Sequence, residues 1–136
     1  MYKSILVPID LANVERSKPM IEVARKLGAE GSRIILLNVV EEVPSWIANE
    51  LPAGILEKSS QTSRSELKAM ANAAEIKVEV EIRSGHPYKT ILTVADEVGT
   101  DLIIIASHKP GLQDYFLGST AARVVRHAKC SVLVVR

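Results

Sequence analysis

Five short apolar runs divide this chain, and four of them are nearly continuous and rich in β-branched residues. They are residues 4–9 (SILVPI), 33–40 (RIILLNVV), 102–106 (LIIIA) and 130–135 (CSVLVV). Runs of this kind suit strands buried on both faces, as in a parallel sheet. The remaining run, residues 77–82 (KVEVEI), places valine and isoleucine on one side and charges on the other. That alternation suits an edge strand with one wet face.

Helical patterns separate the runs. Residues 14–27 set Met20, Ile21, Val23, Ala24 and Leu27 toward a core, and Gly28 follows as a stop signal. A second pattern, from about residue 52 to 74, carries Ile55, Leu56, Leu67, Met70, Ala71 and Ala74. A third, residues 88–98, ends before Gly99, and a fourth covers residues 119–127 with Ala121, Ala122, Val124 and Val125. The order is β-α-β-α-β-α-β-α-β, which predicts a parallel α/β sheet with helices on both faces and right-handed crossovers. No linker, repeat or low-complexity segment interrupts it. Residues 41–54, with two prolines and the single tryptophan, are the least regular and read as a loop.

A length of 136 residues points to one domain, residues 1–136, able to bury a core without staples. Seventeen basic residues balance sixteen acidic ones, so nothing asks for nucleic acid or an anionic membrane as partner. Aromatics at 4% argue against a base-stacking platform. The absence of a long apolar stretch or a signal-like start, together with a single cysteine, predicts a cytoplasmic protein. Cys130 lies in an apolar run and reads as an inert core thiol.

In open α/β sheets, ligands sit beyond the carboxyl ends of the strands, where strand order reverses. Three segments should reach that edge: Pro8-Ile9-Asp10, Val39-Val40 and Ala106-Ser107-His108-Lys109. Gly118-Ser119-Thr120 then opens the last helix. A helix start offers backbone N–H groups and a positive dipole end, and glycine lets an anion approach closely. The residues themselves leave two readings open. Ser119 and Thr120 either add hydroxyl donors to an anion seat, or Ser119 simply caps its helix. Asp10 either holds a ribose hydroxyl or a metal-bound water, or caps the first helix. Lys109 either neutralises phosphate or is a solvated loop lysine.

His86, His108 and His127 lack metal-ligand spacing, so no metal site is expected. No P-loop and no G-x-G-x-x-G follows the first strand, and Asp10 stands alone where a response regulator needs several carboxylates.

The opening ILVPID, the central SGHPYKTIL and the closing LGSTAARVVRHAKCSVLVVR resemble the universal stress protein family over the whole chain. The resemblance implies a five-stranded parallel sheet of order 3-2-1-4-5 with four helices. Members that bind ATP show a glycine, two residues, a glycine, nine residues, then glycine and serine or threonine. Here Ala106 and Lys109 stand at the first two glycines, and eight residues separate Lys109 from Gly118. The resemblance places Pro8 and Ile9 along an adenine pocket, Val39 at the adenine edge, and Asp10 and Ala106 beside the ribose. It places Lys109, Gly118, Ser119 and Thr120 on phosphates, with Ser107 and His108 between them. Gly85 and Pro87 match a turn into the third helix.

The implied function is a regulatory module that binds ATP, ADP or AMP, with or without Mg²⁺, and passes that state to a protein partner. The alternative is a dimeric interaction protein of the same fold that binds no nucleotide. An enzyme is not expected; a slow ATPase ranks last, since only Asp10 could hold a metal or orient water. The apolar last strand, as an edge, is a pairing liability. Family members commonly dimerise through it, so a two-fold homodimer through Ser131–Val135 is expected.

Overall fold

The computed structural model describes residues 1–74, 76–107 and 117–136. Five strands, β1 (Tyr2–Pro8), β2 (Gly28–Val40), β3 (Glu79–Ser84), β4 (Leu102–Ala106) and β5 (Ser131–Val135), form one sheet in the order β3-β2-β1-β4-β5. Every pairing is parallel, and four long helices make the crossovers. These are α1 (Val14–Leu27), α3 (Ile55–Ala73), α4 (Pro87–Val98) and α5 (Ser119–His127). A single helical turn, α2 (Ser45–Ala48), lies in the segment expected to be a loop.

Strand periodicity sorts the core into two layers. Ile5, Val7, Leu36 and Ile104 face α1 and α3, meeting Met20, Ala24 and Leu67. Leu6, Leu37, Ile103 and Ile105 face the other way, onto Ile91 and Val94 of α4 and Ala121 and Val124 of α5. The central strands are thus buried on both sides, as the continuous apolar runs required.

Two expectations need correction. The helix expected from about residue 52 begins at Ile55, and its first half carries no buried residue; Ile55 and Leu56 are 42% and 47% exposed. Helical spacing marks an apolar face but not where the underlying sheet ends. The last run is not buried on both faces either, because β5 is an edge strand and Leu133 is 36% exposed. Gly28 ends α1, as expected. Its backbone is extended (φ −70°, ψ 137°), so the helix passes directly into β2. Gly99 ends α4 in a left-handed turn, at φ 68°.

The other edge, β3, is guarded by charge. Arg33 on β2 pairs with Glu79, while Arg83 bridges Glu81 at 2.7 Å and Glu97 of α4 at 2.6 Å. The guanidinium partners hold Glu79 and Glu97 below the ordinary glutamate range, and Arg83 is raised in turn by both carboxylates.

Candidate functional site at the open end of the central seam

The order of the sheet reverses between β1 and β4, and the two ends of that seam are built differently. At the amino ends, Asp101 stitches it shut. Its carboxylate accepts the backbone N–H of Lys3 at 2.9 Å and of Ser4 at 3.0 Å, while its own N–H donates to the Ser4 carbonyl. Those backbone donors hold the Asp101 carboxyl below the ordinary aspartate value.

Toward the carboxyl ends the strands part. The β1–β4 ladder stops at Leu6 and Ile103, although β1 stays paired with β2 as far as Pro8 and β4 with β5 as far as Ala106. Beyond Pro8 the chain follows β2: the Ile9 N–H donates to the Leu37 carbonyl, and the Asn38 side-chain amide donates to the Ile9 carbonyl at 2.9 Å. The β1–β4 pairing therefore ends short of both strand ends. Pro8-Ile9-Asp10 and Ala106-Ser107 follow it on its two sides, with Ile9 and Ser107 buried, at the position where a ligand is expected in this architecture.

Ile9 is buried and Asp10 exposed. The Asp10 carboxylate accepts from the Ala12 N–H at 3.0 Å and the Asn13 amide at 2.8 Å, capping a short 3₁₀ turn (Leu11–Asn13) ahead of α1. Val39, half-buried, sits in register with Arg83 of β3, and the Val40 carbonyl accepts from the Gly85 N–H. Gly85, at φ 148°, makes the turn into α4, where Pro87 occupies the first turn as expected. A Cβ at Gly85 would lie 2.6 Å from the Thr90 hydroxyl, so both the backbone angle and the space call for glycine.

Ser107 is fully buried and acts as a tie. Its N–H donates to the Val135 carbonyl, and its own carbonyl accepts from the Gly118 N–H. The start of α5 is thereby fastened to the end of β4. The capping residue of α5 is Gly118, not Ser119, and among the described residues no side chain caps this helix. Ser119 is instead the first helical residue. The first-turn N–H groups and the positive end of the α5 dipole therefore stand at the carboxyl end of the seam with no side-chain acceptor among the described residues. His108 and Lys109 lie outside the described residues.

Cys130 precedes β5 rather than lying inside it, and burial pushes its thiol up, away from the reactive thiolate. Among the described residues no group of three potential metal ligands comes together, and no helix is long and apolar enough to cross a membrane.

The sequence profile of the Universal stress protein family matches residues 1–136. The chain belongs to the universal stress protein family. A universal stress protein of Methanocaldococcus jannaschii is 33% identical over 141 residues, covering 100% of this chain and 83% of that one. Among solved structures, that of a hypothetical protein, solved as a structure-based assignment of biochemical function, superposes with a TM-score of 0.80. It is 28% identical, and the match covers 99% of this chain and 96% of the other. The same fold is shared with a universal stress protein solved in complex with cAMP (TM-score 0.72, 23% identical, 99% of this chain and 97% of that one). It is shared also with the Archaeoglobus fulgidus universal stress protein solved with dAMP (TM-score 0.68, 18% identical, 99% and 98%).

In this universal stress protein, Ala106 ends β4 in register with Val135, and Gly118 and Ser119 begin α5. Asn38 was not among the residues singled out from the sequence, yet it holds the Ile9 carbonyl in place. Its signal was there: a lone amide near the end of an apolar run, which must find a partner once buried.

Proposed function

We propose that this universal stress protein is an adenine-nucleotide-binding regulatory module of a stress response. The observation that carries the reading is the start of α5, without a side-chain cap among the described residues, tied through Gly118 to Ser107 and set at the open end of the β1–β4 seam. Backbone N–H groups at a helix start, with the Ser119 and Thr120 hydroxyls beside them, suit a phosphate chain. Pro8, Ile9 and Val39 suit the base, and Asp10 and Ala106 the ribose. Lys109 then supplies by charge what a glycine supplies by close approach. That this fold takes adenine nucleotides in the proteins solved with cAMP and dAMP supports the reading.

The test is direct. A boiled extract of the purified protein, run on anion exchange, is expected to release adenine nucleotide, and millimolar ATP, ADP or AMP to raise the melting temperature. Gly118→Trp is expected to remove that shift. Gly118 has φ −59° and ψ 154°, which any residue adopts, so the variant is expected to fold. No nucleotide and no shift would favour the interaction protein that binds none, a reading the replacements at Ala106 and Lys109 support. The nucleotide is read as a signal, not a substrate: turnover with Mg²⁺ is expected at the no-protein blank.

The same reading includes a cytoplasmic homodimer. Ser131–Val135 is an edge strand without a charged residue, and its exposed Leu133 faces away from α4 and α5. Pairing with the same strand of a second copy satisfies its outer backbone groups. Light scattering on a sizing column is expected to give twice the chain mass. Leu133→Lys is expected to give the monomer.

A further inference from the structure

A second cleft lies away from the seam, between the start of α4 and the later turns of α5. It encloses about 510 Å³ and is lined by His86, Tyr88, Lys89, Ala122, Arg123, Arg126 and His127. That volume is typical of small-molecule sites rather than of a single ion. Its lining contains three permanent cations and two imidazoles but no carboxylate. Lys89, Arg123 and Arg126 make no ion pair among the described residues, so their charge is not neutralised within the cleft.

The aromatic side chains fix this arrangement. The Arg123 guanidinium sits 5.0 Å from the centre of the Tyr88 ring. His127 stacks on the same ring at 6.2 Å, and His86 meets it edge-on at 5.0 Å. Arg123 and His127 are one helical turn apart and Arg123 and Arg126 three residues apart, so α5 presents all three along one side. From across the cleft, α4 contributes Lys89 and its own helix start. His86 occupies the capping position of α4 without making a side-chain cap bond, so the first-turn N–H groups and positive dipole add to the same field.

We propose that this cleft binds an oligophosphate, a compact anion carrying two or more linked phosphate groups. A single phosphate carries roughly two charges, too few to engage cations carried on both walls. Linked phosphates span the cleft, meeting Lys89 on one side and the Arg123 and Arg126 guanidinium forks on the other. The cleft lies farther along α5 than the nucleotide seat. Its two arginines, Arg123 and Arg126, lie five and eight residues beyond Gly118, about 7.5 and 12 Å along α5 at 1.5 Å per residue. The proposal does not rest on nucleotide binding.

Calorimetry at low salt with inorganic phosphate, tripolyphosphate and sulfate, together with amide chemical-shift mapping, tests it. Tripolyphosphate is expected to bind at least about tenfold more tightly than phosphate, shifting the Tyr88, Lys89, Arg123 and His127 amides. Arg123→Glu with Arg126→Glu, and separately Lys89→Glu, is expected to weaken it at least about tenfold, with Arg123→Lys and Arg126→Lys losing much less. All of these side chains are exposed, so the fold is expected to survive, and melting curves check that. Gly118→Trp is expected to leave tripolyphosphate affinity unchanged. No binding by the wild-type protein would overturn the proposal. So would sulfate of equal ionic strength competing as well as tripolyphosphate, or shifts at Ser119 and Thr120 that Gly118→Trp abolishes and the charge reversals spare.

Discussion

The two ends of the β1–β4 seam are made from the same pair of strands and do opposite things. At the amino end, Asp101 commits the backbone N–H groups of Lys3 and Ser4 within the chain. At the carboxyl end, β1 follows β2, β4 follows β5, and among the described residues no side chain caps the first turn of α5. A binding site needs polar groups that the fold itself has not used, whereas a stable fold needs those groups paired. Holding the seam at one end lets it stay open at the other.

The largest test of this division is at the open end. Gly118→Trp is expected to weaken nucleotide binding roughly 100-fold, about 2.7 kcal/mol, with little change in urea stability. If affinity survives, the phosphate seat is not at α5.

Asn38→Leu comes next, because it strikes the support of the 8–10 segment. It orphans the Ile9 carbonyl, so a loss of about 1–3 kcal/mol in urea unfolding is expected, with weaker nucleotide binding as the 8–10 segment shifts. An unaltered affinity would show that this segment needs no support.

Asp101→Ala strikes the stitched end and is expected to cost about 1–2 kcal/mol while leaving binding intact. Its pH dependence has a definite sign. The folded carboxyl sits below the ordinary aspartate value of 3.8, so its stabilisation is complete above that value and fades as pH falls through the lower folded one. The gap in urea midpoint between the wild-type protein and Asp101→Ala should therefore be widest near neutrality and shrink below about pH 3.8. A constant gap would mean that the carboxylate is not the agent.

Thr100→Val should do least. The Thr100 hydroxyl is buried beside the stitch with no hydrogen-bond partner among the described residues, so its loss is expected to change stability by less than about 0.5 kcal/mol or to raise it slightly. A large loss would reveal a bridging water there.

Much of the fold was legible because β-branched apolar runs and helical spacing are local signals. They named every strand, the four long helices and the edge character of β3. They failed where burial depends on neighbours. Ile55 and Leu56 have core-like spacing but lie where α3 carries no buried residue, and β5 has a core-like composition but only one neighbouring strand. The site was legible in part. Gly118 and Ser119 belong to a motif, and Pro8-Ile9-Asp10 to a strand end. Asn38 escaped because a single amide in an apolar run carries no periodicity. The capping role that was one of two readings open for Ser119 went to Gly118, whose N–H donates to the Ser107 carbonyl where the helix begins.

By itself the sequence determined the type and order of the elements, the parallel sheet and the membership of a family. The elements and the sheet rest on side-chain volume, branching and spacing within a dozen residues, and the family on the resemblance carried by ILVPID, SGHPYKTIL and LGSTAARVVRHAKCSVLVVR. Only the tertiary structure decided which end of the seam is stitched and which stays open. It alone brought Lys89 of α4 to the same cleft as Arg123 and Arg126 of α5. Such juxtapositions join residues more than thirty positions apart, and their distances are set by how helices seat on a sheet rather than by any local preference of the chain.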